Sequence, residues 1–461
     1  MTSHDEQQDE PDRLTEINEI SDINEITDMN EVRSILDRQP SSPTFQVDFL
    51  KTWMMLLVIM DHTFSHAFLG PLGAIFWERI SIPLFLIIMG YNMALSFRKQ
   101  GLTTLSELYS WGYFRKKIER YIMPYLLLYG FHLLLRLFVI WQEIPVNRNF
   151  PYDLMDYMWL GYTPFYGPGM WFIPVVISSI FVFPFLYWCY LRQPIITVMF
   201  CIMIELSLHL LSYILYLDAM AYFRSELLTN IDLGIAAYPE TSQFWGCHIF
   251  SHCSAIAIGM WLSTDHSLSA QRNIWVKVLV LIGIIYVGAF YFYRYTTISA
   301  NLVFVILYMT AWIGGDYHLF TYAYAAGIFL LVMNFIPAKP YRDSRFTKLI
   351  QTISKATYHI LLTQILYFSL IYGFSLYMFD ITGVHPNGFD DVPLNYLWFY
   401  PLNVVVTFTG GILWHRLEQN FYEKQRATDK RSGLYRIIFI FAIMFYILRG
   451  NAQFVFFLQF P

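Results

Sequence analysis

The sequence predicts an all-α fold, a polytopic transmembrane helix bundle of about 10–12 spanning helices. Three observations predict it. Of the 461 residues, 56% are hydrophobic and 19% aromatic, only 14% carry charge, and the mean hydropathy is +0.43. A water-soluble domain carries about 25% charged residues. The apolar residues also fall in runs of roughly 18 to 22 separated by short polar stretches, the length that crosses a bilayer. Finally, the runs lack a period of two, which excludes a transmembrane barrel.

Taken in order, the runs place spanning helices at about 47–68, 74–97, 121–142, 170–190, 195–217, 246–263, 274–293, 297–314, 319–336, 353–379, 396–416 and 435–457. Ahead of them, residues 1–46 hold 12 Asp and Glu against 3 Arg, a net of −9, while the rest of the chain carries a net of +5. The tail repeats Asn18-Glu19-Ile20 as Asn24-Glu25-Ile26 and Asn30-Glu31-Val32. Its apolar residues recur every third position, which drifts around a helix instead of forming one stripe. We read 1–46 as a disordered acidic cytoplasmic tail, 47–416 as the transmembrane domain, and 417–461 as a charged linker with a C-terminal apolar helix. The polar start predicts no cleavable signal peptide, so the first helix serves as its own insertion signal.

Charge sets the orientation. Arg98, Lys99, Arg115, Lys116, Lys117 and Arg120 form the strongest basic loop, which the positive-inside rule places in the cytoplasm together with the N-terminus. The basic stretches Lys339–Lys355 and Lys424–Arg436 demand the same side. Seven of the twelve runs lie between the first and second basic stretches, which would put those two on opposite sides. A mildly basic membrane body with no clustered basic surface gives no nucleic-acid partner. Four cysteines in or beside apolar runs are too few for a disulfide framework.

Ionisable residues inside apolar spans mark function by default. Lys51 and His62 are 11 residues apart on the first helix, within about 20° of one face and about 16 Å apart along the axis. Asp48 lies three residues before Lys51, near enough to pair with it and orient it. A cation at the cytoplasmic mouth can hold a phosphate, and a histidine deep in the bilayer can take a proton from an attacking hydroxyl. A long thin donor such as an acyl-pantetheine fits that stripe. His132 and Arg136 are four residues apart on the third run, and Glu205 and His209 on the fifth, where they could pair with each other or with Arg136. Structural pairing is the reading, with a role in catalysis or proton handling as the alternative. Cys247, His248, His252 and Cys253 do not share one helical face, so no metal is expected there.

The stripe also carries a resemblance. Asp48-Phe49-Leu50-Lys51 followed by His62 resembles the first-helix pattern D-x-L-R…H of the acyltransferase-3 family of membrane acyltransferases. Ser81-Ile82-Pro83-Leu84-Phe85…Gly90-Tyr91 resembles its V-P-L-F-F-x-x-S-G-[FY] signature. Lys117-Ile118-Glu119-Arg120…Pro124-Tyr125 resembles its R-x-x-R-I-x-P-Y segment. Trp171-Phe172, Gly259-Met260 and Thr357-Tyr358-His359-Ile360-Leu361-Leu362 are similar to its later motifs. The matches fall in order over about 48–364. Lysines stand at 51 and 117 where the family has arginines, which keeps charge and loses the bidentate fork. Met89 replaces a serine, and Gln364 stands where a histidine often closes the late motif. More distantly, the chain resembles the heparan-α-glucosaminide N-acetyltransferases.

The resemblance implies a cell-membrane enzyme with no bound cofactor. It would take an acyl group, acetyl above all, from cytoplasmic acyl-CoA to a hydroxyl or amine of a glycan or lipid-linked sugar. His62 would be the general base, and Lys51, Asp48, Lys117 and Arg120 would bind the acyl-CoA. The rival reading is a transporter or flippase of a lipid-linked sugar, which would be expected to show internally repeated halves; no such repeat is found.

Overall fold

The computed structural model describes residues 45–64, 69, 72–141, 169–170, 172–209, 249–264, 274–295, 319–339, 344–382 and 398–426. Among them every regular element is a helix, so the chain is an all-α bundle. In order these are α1 (Phe45–Thr63), α2 (Ala74–Lys99), α3 (Leu105–Leu108), α4 (Trp111–Lys117), α5 (Met123–Trp141), α6 (Phe172–Arg192), α7 (Pro194–His209), α8 (Cys253–Thr264), α9 (Ile274–Tyr295), α10 (Leu319–Phe335), α11 (Arg345–Thr382) and α12 (Phe399–Arg426). A wide, π-helical turn at Ile118–Ile122 joins α4 to α5, and a 3₁₀ turn at Ile249–His252 leads into α8.

Side-chain pairings fix how the helices run. Ser354 on α11 meets Asp48 on α1, and Phe368 packs edge-on to His62 at 6.1 Å, so α1 and α11 run in the same direction. Helix α12 runs against both. Tyr367 Oη donates to Asn403 Oδ1 (2.8 Å), Asn403 Nδ2 donates to Thr63 Oγ1 (3.0 Å), and His359 bonds Glu418. Helix α8 lies parallel to α2, with Gly90 against Ile256, Gly259 against Ile87 and Tyr91, and Arg98 Nη1 donating to the Ser263 carbonyl (2.9 Å). Helices α9 and α10 are antiparallel, because Gly283 meets Phe320 and Tyr324 while Gly327 meets Val280. At the foot of α1, Gln46 Nε2 donates to the Met333 and Ile336 carbonyls and Phe45 N to that of Ala338.

These contacts remove the conflict between the basic stretches. Gln46 at the start of α1 meets the Met333 and Ile336 carbonyls, Asp48 meets Ser354, and Arg98, Arg120 and Lys355 line one cavity, which brings both the 98–120 and the 339–355 segments to the end of the bundle where α1 begins. The 297–314 run lies outside the described residues. So do the 435–457 run, residues 1–44 of the tail and residues 427–461. Several expected bounds shift. Helix α1 stops at Thr63, which puts His62 in its last turn, and α11 starts at Arg345, eight residues ahead of expectation. Helix α12 continues unbroken past 416 to Arg426.

The core is one apolar cluster to which α1 to α8, α10 and α11 all contribute. Outward faces are apolar as well. Leu126, Leu127, Phe131 and Leu134 on α5, Ile195, Ile196, Met199, Phe200 and Met203 on α7, and Trp275, Val278, Leu281, Ile282 and Ile285 on α9 are all exposed. Apolar surface this extensive marks contact with something other than water. Two described helices, Ile80–Lys99 and Phe172–Arg192, are by length and composition able to cross a bilayer.

Candidate functional site

A cavity of about 580 Å³ opens at the end of the bundle where the basic stretches meet. Helix α1 contributes Asp48 and Lys51, and α2 contributes Ile82, Phe85, Ile88, Met89, Arg98 and Lys99. The junction of α4 and α5 adds Lys117, Arg120 and Tyr121, α6 adds Phe172 and Val176, and α11 adds Ser354, Lys355, Tyr358 and Leu361. Six cations and one carboxylate therefore line a space whose other end is apolar. Such a cavity suits a ligand with phosphates at one end and a slender chain at the other, because water-poor walls strengthen charge pairing.

Local sequence explains each placement. The wide turn at Ile118–Ile122 keeps Lys117, Arg120 and Tyr121 on one face, a device common at functional sites. Lys117 Nζ lies 5.5 Å from the centroids of both the Tyr113 and Tyr121 rings, and the Arg120 guanidinium 5.4 Å from that of Tyr121. Tyr358 fixes this turn by donating from Oη to the Tyr121 carbonyl (3.0 Å). Burial holds the Lys117 ammonium below the usual lysine range; the Tyr121 hydroxyl opposes that shift and the Arg120 guanidinium adds to it. Asp48 corrects the sequence reading. Among the described residues its carboxylate forms no ion pair with Lys51 and instead accepts from Ser354 Oγ at 2.5 Å.

His62 does not line the cavity. It stands just beyond its apolar end, behind Leu361 and the turn at Gly169. A Cβ built on Gly169 would lie 3.8 Å from His62 Nε2 and 3.8 Å from Leu361 Cδ1. Gly169 has φ +83°, the left-handed region that favours glycine. Asp61 Oδ2 is 3.9 Å from His62 Nδ1.

The 45–416 span holds the cavity, the wide turn and His62, and over that span the chain matches the family model described as an acyltransferase domain. The chain belongs to the acyltransferase-3 family. It is a membrane acyltransferase, transferring acyl groups other than aminoacyl groups. No curated protein and no solved structure matches it.

The structure thus brings Asp48, Lys51, Lys117 and Arg120 into one cavity and sets His62 at its far end. Glu205 and His209 do not pair with each other. Glu205 accepts from Ser254 N (3.1 Å) and Ser254 Oγ (2.5 Å), and His209 Nε2 meets the Ser251 carbonyl (3.2 Å). His252 Nδ1 bonds Tyr322 Oη (2.5 Å) and Cys253 Sγ the Cys201 carbonyl (3.0 Å); Cys247 and His248 lie outside the described residues. Sequence reasoning missed Ser354, Lys355 and Tyr121 as cavity residues. Only the polar Ser354-Lys355 pair interrupting the apolar run of α11 could have signalled them.

Proposed function

We propose that the protein moves an acyl group, acetyl by preference, from cytoplasmic acyl-CoA to a hydroxyl or amine of a glycan or lipid-linked sugar. The observation that carries this reading is the cavity itself, cationic at Lys51, Lys117 and Arg120 and apolar toward Phe172 and Leu361, with His62 behind its apolar end. The phosphates of the donor would lie among the cations, its pantetheine along the apolar walls, and its thioester beside His62. His62 Nε2 would take the proton of the acceptor as its oxygen or nitrogen attacks the thioester carbon. The carbon–sulfur bond then breaks, and the leaving thiolate recovers the proton from the imidazolium. The Asp61 carboxylate near Nδ1 stabilises the imidazolium while it exists. The basic end of the bundle faces the cytoplasm in this reading, and the N-terminus with it.

Purified protein in detergent, offered a panel of acyl-CoAs and simple glycan acceptors, should consume thioester in an acceptor-dependent way. Flux of a lipid-linked sugar through proteoliposomes without thioester loss would replace this reading with the transporter.

A further inference from the structure

A second chamber of about 290 Å³ branches from the first, and the two share Arg120, Lys355 and Tyr358. Its rim carries exposed Lys116, and its floor is built from His359 and His415. His359 is 3% exposed. Its Nε2 bonds Glu418, and among the described residues its Nδ1 is buried without a hydrogen-bond partner, as is Nδ1 of His415, whose ring centroid is 4.8 Å away. Both carboxylates near the chamber are occupied. Glu119 accepts from Arg115 Nε at 3.1 Å, and Glu418 accepts from Tyr422 Oη at 3.3 Å as well as binding His359. Among the described residues Lys116, Arg120 and Lys355 form no ion pair. Three cations and the His359 and His415 rings thus line one small space. Cations without ion-pair partners around one concave space favour an anionic ligand, whose oxygens would form charge-assisted hydrogen bonds with them.

We infer that this chamber is a phosphate site, and that its ligand is the terminal phosphate monoester of the donor, the 3′-phosphate of CoA. The inference rests on the reading above that acyl-CoA fills the larger cavity. The branching supports it. The diphosphate of CoA lies in line with the pantetheine, whereas the 3′-phosphate leaves the ribose sideways, as this chamber leaves the main cavity at Arg120 and Lys355. A dianionic monoester also matches the surplus of cations, its oxygens accepting from the N–H groups of Lys116, Arg120 and Lys355.

The test compares binding of CoA and of 3′-dephospho-CoA to the purified full-length protein. Wild type should bind CoA at least tenfold tighter. In Lys116→Gln and in His359→Gln, where the amide can still donate to Glu418, that gap should shrink severalfold while affinity for 3′-dephospho-CoA stays at the wild-type level. Lys116 is exposed, so its variant reports even where His359→Gln folds poorly. Equal binding of both ligands by wild type, or an undiminished gap in Lys116→Gln, overturns the inference and leaves the acyl-CoA reading standing. Wild type that binds neither ligand overturns both. Added phosphatidic acid should leave CoA binding unchanged; displacement of CoA by it would assign the chamber to a lipid headgroup and overturn the inference.

Discussion

Ser354 Oγ donates to Asp48 Oδ1 at 2.5 Å, and this bond ties up the one carboxylate that lines the larger cavity. A hydrogen bond to a charged group contributes about 1.5–3 kcal/mol. Ser354→Ala should lower thermal stability by about that much. It should also weaken CoA binding, because a released Asp48 can turn toward Lys51 and compete with the donor phosphates. Calorimetric unfolding and CoA titration on one preparation check both effects, and unchanged values in each would remove Asp48 from the site.

Lys117 and Arg120 are the second pair to test. Replacing both with alanine should weaken acyl-CoA binding at least tenfold, since each charge-assisted contact contributes roughly 1.5–3 kcal/mol. Lys117 adds a pH signature. Burial depresses its folded-state pKa, so its charge is lost as pH rises, beginning below the ordinary lysine range. Donor affinity should therefore decline on the alkaline side earlier in wild type than in Lys117→Arg, whose guanidinium stays charged. Coincident alkaline limbs in CoA titrations would show that Lys117 does not carry donor charge.

Helices α2 and α8 touch through glycine, as helices do where backbones approach closely. A Cβ on Gly90 would strike the Ile256 carbonyl oxygen, which is backbone and cannot step aside. Gly90→Ala should cost about 1–3 kcal/mol, the range of overpacking. Gly410→Ala should cost less, because its Cβ would meet only the Thr363 Cγ2 methyl at 2.8 Å. Gly130, with nothing within 4 Å, is the control and should gain stability as alanine. Melting temperatures in one detergent rank the three.

The apolar runs made the helices legible because twenty-residue hydrophobic segments have few other uses, and ten of the twelve runs coincide with described helices. The Lys51–His62 spacing was legible because an unbroken helix converts sequence distance into position. What did not show were contacts between segments far apart in the chain. Asp48 sits three residues from Lys51, so local spacing favoured a pair, yet a hydroxyl 306 residues away takes its carboxylate. Glu205 and His209 misled for the same reason, each being claimed by a group on the turn into α8 or its first residues. The shared end of the two basic stretches could not be read from composition either, because only contacts such as that of Gln46 with Met333 reveal it.

Gln364 is wholly buried on α11, and among the described residues neither its Oε1 nor its Nε2 has a hydrogen-bond partner. Each unmet buried polar group costs about 1–3 kcal/mol. Gln364→Leu, close in volume and free of polar atoms, should therefore raise the melting temperature. A lower melting temperature would mean that the amide is satisfied in the folded protein.

The decisive prediction concerns His62. If its Nε2 takes the proton of the acceptor, its loss should lower turnover by roughly 10²- to 10⁴-fold, the usual share of acid–base catalysis. His62→Gln keeps much of the volume beside Gly169 and Phe368, so folding and donor binding should survive. His62 also lies outside the cation-lined cavity, so CoA affinity should match wild type while the rate collapses. A purely structural histidine gives the reverse, with lower yield and stability and nearly intact turnover per folded molecule. Gly169→Ala separates position from chemistry. Its φ of +83° strains any side chain by about 1–2 kcal/mol, while the added Cβ meets His62 only at ordinary contact distance. That variant should lose stability and a modest part of its rate, by shifting the turn that backs the imidazole. Folded His62→Gln that turns over at the wild-type rate would end the general-base role.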